Sequence, residues 1–154
     1  MKTLVVYFSR DGHTKKIAEQ IAEKLNADIE AIKESTNRKG IIGWLKSGAE
    51  SARGKVPEIN TLSNDVESYD LVVVGTPVWA GTVASPVRGF LSQYRESIKE
   101  AAFFCTMGSS EGRTFDEMKE LSGKEPKAVS SYTAKAINTG EYLSSLEKYL
   151  ETLG

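Results

Sequence analysis

The chain has 154 residues with 40% hydrophobic side chains, the size and apolar content of one ordinary domain. Its 20 Lys and Arg are balanced by 21 Asp and Glu, for a formal net charge of −1, so the overall charge gives no reason to expect a nucleic-acid partner. A single cysteine, Cys105, excludes an internal disulfide and a multi-thiolate metal site and fits a reducing compartment, the cytoplasm by default. No 18-residue apolar run is available to span a membrane, and no apolar secretion core precedes the first strand.

Leu4 to Phe8 is a β-branched and aromatic run, the composition of a strand buried on both faces. A polar turn, Ser9 to Thr14, leads straight into a helix whose Ile17, Ile21 and Leu25 recur every four residues beside Ala18 and Ala22. Backbone N–H groups at a helix start lack internal partners, and the helix dipole adds roughly half a positive charge there. Such a turn suits an anion. The hydroxyls of Ser9 and Thr14 add donors, and Gly12 has no Cβ to block a close approach.

Ala27 to Lys33 alternates apolar and charged residues, which predicts a second strand with one poorly covered face at a sheet edge. Residues 35 to 65 read as a long excursion with a short helix near 41 to 53, made basic by Lys39, Lys46, Arg53 and Lys55. It is either a functional insertion or a surface helix whose Trp44 covers a sheet edge. Tyr69 to Thr76 is the second central strand, ending in the loop Thr76-Pro77-Val78-Trp79-Ala80-Gly81-Thr82. Ser85-Pro86 predicts an N-cap followed by proline at the first helical position, and Val87, Phe90, Leu91 and Tyr94 supply the buried face of that helix. Lys99 to Thr106 is a third central strand, followed by the loop Met107 to Gly112. Phe115, Met118 and Leu121 mark a helix ended by Gly123 and Pro126; a last strand, Ala128 to Thr133, precedes a closing amphipathic helix from Tyr142 to Leu153.

Five strands alternating with helices predict a single α/β domain over residues 1 to 154, with a parallel sheet covered on both faces. Ligands of such sheets bind beyond the carboxyl ends of the strands, where strand order reverses. The loops after the first, third and fourth strands should all emerge there. The first offers phosphate donors, the second offers Trp79, and the third offers Thr106, Met107, Gly108, Ser109, Ser110 and Gly112. An aromatic face opposite a backbone-rich loop suits a flat heteroaromatic ring, so a phosphorylated flat ring fits all three.

The segments FSRDGHT (8–14), GTPVWAG (75–81) and TMGSSEG (106–112) resemble the ligand loops of flavodoxins, and the resemblance covers the whole chain. It implies a doubly wound five-stranded sheet of order 2-1-3-4-5 and FMN as cofactor. By that resemblance Ser9, Arg10, Asp11, Gly12, His13 and Thr14 form the phosphate loop, while Thr76, Pro77, Val78, Trp79, Ala80 and Gly81 flank the flavin on one side. Thr106, Met107, Gly108, Ser109 and Gly112 flank it on the other. Ala80-Gly81 would be the peptide that accepts a hydrogen bond from the reduced ring, since glycine tolerates φ > 0.

The chain departs from the family pattern at several places. Asp11 stands for a hydroxyl; a carboxylate facing a phosphate is repelled, so it is expected to point away or cap the helix. His13 stands for Asn and keeps a donor, its alternative being a solvent-facing side chain without a role. Trp79 either stacks on the flavin or plugs the sheet end. The second flanking loop lacks the aromatic that many flavodoxins carry, which leaves that side open or covered by Trp44 or a partner. FSRDGHT also resembles the start of menaquinone-dependent protoporphyrinogen oxidases, whose long insertion has no counterpart here.

Two functions compete. In one, the chain is an FMN carrier that shuttles electrons between a reductase and an acceptor, with no catalytic acid, base or nucleophile. In the other, it is an FMN-dependent NAD(P)H:quinone-type oxidoreductase with a small quinone-like acceptor. Phosphatase, receiver and dinucleotide-site patterns are missing, since Cys105 has no Arg six positions on, Thr76-Pro77 stands where a receiver needs Asp, and Gly-x-Gly-x-x-Gly is absent. A signalling or scaffold module with a vestigial pocket is the remaining alternative.

Overall fold

The structure is a computed structural model that describes residues 1–34 and 59–154. The helix expected near 41 to 53, with Trp44, lies outside the described residues. In chain order the elements are β1 (Thr3–Tyr7), α1 (His13–Leu25), β2 (Asp28–Ala31), a 3-10 turn (Val66–Ser68), β3 (Leu71–Trp79), β4 (Thr82–Val83), α2 (Ser85–Gln93), β5 (Ala101–Met107), α3 (Thr114–Ser122), β6 (Val129–Thr133), α4 (Ala134–Thr139) and α5 (Leu143–Leu153).

The five long strands pair in parallel in the order β2-β1-β3-β5-β6, and β4 pairs antiparallel with the end of β3. Leaving that two-residue strand aside, the order is the expected 2-1-3-4-5. Side chains of β1 alternate between the two faces, as period-two geometry requires. Leu4 and Val6 meet Val72, Val74, Val87, Phe90, Leu91, Phe103 and Met118 on the α2/α3 side. Val5 and Tyr7 meet Ile17, Ile21, Val73, Phe104, Leu146, Tyr149 and Leu153 on the α1/α5 side. Each of the large side chains fully buried this way contributes about 1.5–3 kcal/mol. The strands that carry the loops are therefore held in register from both faces.

Three expectations are revised. β3 runs past Thr76 to Trp79, because Pro77 falls where the parallel ladder is ending and its missing N–H costs little. Trp79-Ala80-Gly81-Thr82 is then a two-residue hairpin with φ +52° at Ala80 and +74° at Gly81, the left-handed pair that a type I′ turn needs. The N-cap of α2 is Ala84, with Ser85 as the first helical residue and Pro86 the second. The six-residue α4, capped by the Thr133 hydroxyl accepting from the Ala136 N–H, was too short to show as a periodic pattern.

The described end of the excursion is tied back to its start. Glu34 bridges Ile59, and the Asn60 N–H donates to the Lys33 carbonyl at 2.8 Å. The Glu30 carboxylate on β2 accepts from the Ser63 N–H at 2.7 Å and from the Asn64 N–H at 2.9 Å. Partial burial works to raise its pKa, but these hydrogen bonds, with Lys33 nearby, outweigh it and hold Glu30 below the usual carboxylate range. A depressed folded pKa means the tether is present above the unfolded value and is lost as pH falls through the folded one. Amide exchange at Ser63 and Asn64 should therefore accelerate, beyond the intrinsic pH trend, as acid protonates Glu30. In Glu30→Gln that extra acceleration should vanish; if it persists, Glu30 is not the tether.

Candidate functional site

The carboxyl ends of β1, β3 and β5 open onto one cavity of about 460 Å³, lined by Arg10, Asp11, His13, Pro77, Val78, Trp79, Thr106, Met107, Gly108 and Ala134. The three predicted loops converge because their strands are parallel neighbours. Ala134, at the start of α4, is the lining residue that the sequence reading missed; the capping hydroxyl of Thr133 was the one available signal.

One end of the cavity is the turn before α1. Gly12 precedes the helix at φ +100°, and its N–H donates to Ser9 Oγ at 3.1 Å. Gly12 is the N-cap and has no side-chain cap; Asp11, the residue before it, closes an Asx turn, its Oδ1 accepting from the His13 N–H at 3.0 Å and its Oδ2 lying 3.2 Å from His13 Nδ1. Thr14 is fully buried, its hydroxyl 2.7 Å from that of Thr106, so the two loops are joined beneath the cavity floor.

At the other end stands Trp79. Phe8 meets it edge-on, with ring centroids 5.4 Å apart at 87°, and the Arg10 guanidinium lies 5.8 Å from its ring centroid. Arg10 is thus the side chain that spans from the anion turn to the aromatic wall, a cation–π arrangement. Thr76, predicted as a ligand residue, is instead fully buried; its hydroxyl donates to the Pro77 carbonyl at 2.8 Å and accepts from the Ala84 N–H at 3.1 Å. It shapes the loop from inside.

Two residues with no functional signal in the sequence brace the hairpin. Glu117 on α3 accepts from the Val83 N–H at 3.2 Å and pairs with Arg88 on α2 at 3.0 Å, and both side chains are buried. The Arg113 N–H donates to the Gly81 carbonyl at 2.9 Å. Ala80, Gly81, Ser109 and Gly112 are exposed and do not line the cavity, but Gly81 and Gly112 are where the two flanking loops touch.

A second concavity of about 510 Å³ lies between α2 and α3, lined by Arg88, Ser92, Arg95, Arg113, Glu117, Glu120 and Leu121. Its Arg95 caps the carbonyls of Glu120 and Leu121 at 2.8 and 3.0 Å, a structural task. Cys105 is fully buried, and burial, with a smaller contribution from the Glu111 charge, pushes its thiol up to about 12. It stays protonated at neutral pH and is no nucleophile. Among the described residues no group of His, Cys, Asp and Glu is placed to hold a metal ion, and no helix is long and apolar enough to cross a membrane.

A sheet of this order, with a turn, an aromatic hairpin and a third loop meeting at its carboxyl edge, defines a flavodoxin-like protein. The flavodoxin family model matches residues 2–153, and the chain belongs to that family. A solved flavoprotein in complex with FMN from Lactobacillus acidophilus NCFM is similar at 27% identity and a TM-score of 0.74, covering 90% of this chain and 97% of that one. An NAD(P)H dehydrogenase (quinone) from Gluconacetobacter diazotrophicus is 25% identical over 152 residues, 94% of this chain and 70% of that protein. One from Cupriavidus metallidurans is 31% identical over 99 residues, 60% of this chain. The match spans 46% of that relative's length.

Proposed function

We infer that the chain is a flavoprotein that binds FMN at the carboxyl edge of its sheet and carries electrons between a reductase and an acceptor. The observation that supports this reading is the single cavity whose lining runs from the helix-start turn at Arg10, Asp11 and His13 to Trp79 and on to Thr106–Gly108. Its volume of about 460 Å³ falls in the range of about 300–1,000 Å³ typical of cofactor sites. Ser9 to Thr14 hold the phosphate, through backbone N–H groups and the dipole of α1. Pro77, Val78 and Trp79 on one side, and Thr106, Met107 and Gly108 on the other, enclose the ring. FMN supplies the redox chemistry when bound, and this chain's residues bind it, orient it and set the charge around it.

The curated relatives named as NAD(P)H dehydrogenase (quinone) favour a second reading, an FMN-dependent reductase that takes a hydride from a nicotinamide donor and passes electrons to a quinone-like acceptor. Oxidation of NAD(P)H with a quinone and no added reductase separates the two. Turnover supports the enzyme, and its absence with a flavin-loaded sample supports the carrier.

The common premise is tested by the absorbance of purified protein. Flavin bands, with FMN released on denaturation, are expected; a folded sample that leaves the absorbance and fluorescence of added FMN unchanged up to millimolar concentration refutes both readings. Trp79→Ala should weaken FMN and riboflavin alike by about 1–2 kcal/mol each, roughly tenfold. Loss for FMN alone would place Trp79 away from the ring.

A further inference from the structure

We propose that Asp11 is a resident anion of the phosphate turn, competing with a phosphate monoester for the same donors and so setting how tightly this chain holds a phosphorylated flavin. The proposal rests on the FMN reading above. Its basis is that two N–H groups of the turn, those of Gly12 and His13, are already held by the chain's own side-chain oxygens. The His13 N–H, the first of α1, goes to Asp11 Oδ1 at 3.0 Å, and the Gly12 N–H goes to Ser9 Oγ at 3.1 Å, while His13 Nδ1 lies 3.2 Å from Asp11 Oδ2. The same turn forms one wall of the cavity that ends at Trp79, and the similar Lactobacillus protein is a complex with FMN.

A phosphate seated on the start of α1 needs the N–H groups that point out of the helix, and the His13 N–H is one of them. With the carboxylate in place, a phosphate at that N–H lies within about 4–6 Å of a like charge, a separation at which repulsion weakens binding at least several-fold even in a high-dielectric setting. The Asp11 side chain is 65% exposed, so it has open solvent to swing into. The exchange then replaces one anion by another on the same helix end and hands the His13 imidazole from a carboxylate to a phosphate. Asp11 thereby penalises phosphorylated ligands while leaving the ring's contacts untouched. It acts as a specificity-determining residue between FMN and riboflavin.

The test is Asp11→Asn, which keeps a side-chain oxygen for the His13 N–H, since Asn and Asp both close Asx turns, but removes the charge. Full-length parent and variant are titrated with FMN and with riboflavin, following flavin fluorescence. The expected result is about tenfold tighter FMN binding in the variant, with riboflavin changed by less than about twofold. His13→Gln in the parent should weaken FMN, because the carboxylate loses its counterpart, and should cost less in the Asp11→Asn background. If the parent binds FMN and the variant binds it no more tightly, or tightens both flavins equally, this proposal is overturned and the FMN reading stands. If neither protein binds FMN while circular dichroism reports both folded, the FMN reading fails and takes the proposal with it.

Discussion

Glu117→Ala is expected to lower the unfolding free energy by about 3–5 kcal/mol, the cost of removing one member of a buried ion pair. Two losses act together. The Arg88 guanidinium, 5% exposed, loses the carboxylate 3.0 Å away, and the Val83 N–H loses its acceptor. The pair is nearly buried at the wall of the concavity between α2 and α3, so water replaces the missing oxygen atoms only in part. Glu117→Gln keeps an acceptor for Val83 and should cost less. A double variant, Arg88→Met with Glu117→Leu, should recover much of the loss, because two apolar side chains of similar volume leave no buried charge uncompensated. Chemical denaturation of the flavin-free protein measures all three. A change below about 1 kcal/mol for Glu117→Ala would mean that this pair is solvated and does not brace the hairpin.

Gly112→Ala should lower stability by about 2–3 kcal/mol, and it should weaken FMN as well. Gly112 sits at φ +53°, where an L side chain is strained, and a Cβ there would overlap the carbonyl oxygen of Gly81. That carbonyl is backbone and accepts from the Arg113 N–H at 2.9 Å, so it has no flexible end to move aside. The two flanking loops must part, and Trp79, two residues before Gly81, shifts with the hairpin. Gly108→Ala is the control: a Cβ at Gly108 meets nothing within 4 Å. Equal effects of the two substitutions on stability would remove the Gly81–Gly112 junction as the cause.

Thr14→Glu would add a charge at the phosphate turn, but it is not a clean probe of phosphate binding. In the structure Thr14 is fully buried and paired with Thr106, so that substitution would bury a carboxylate and unfold the turn for reasons unrelated to FMN. Asp11, exposed and one turn earlier in the loop, is the position where charge can be changed at the phosphate site without entering the core.

Thr76 makes a similar point. Its place in the loop pattern suggested ligand contact, but full burial gives its hydroxyl the task of fastening Ala84 to the strand end. Ala134 was invisible for the opposite reason. It reaches the cavity only because β6 pairs with β5 in a register that sets Thr133 beside Met107, and nothing in the local sequence carries that register.

By itself the sequence determined the five long strands, the helices α1, α2, α3 and α5, their order along the chain and the edge on which the loops gather. Those follow from short-range regularities: apolar runs in β1, β3 and β5, four-residue spacing in α1, and the rule that parallel strands point their carboxyl ends the same way. Only the tertiary structure decided which distant groups meet. Thr14 and Thr106 are 92 residues apart, and Arg88 and Glu117 are 29 apart. Periodicity says which face a side chain lies on, whereas a hydrogen bond needs two atoms placed to within a few tenths of an ångström, and that placement comes from how the helices pack on the sheet.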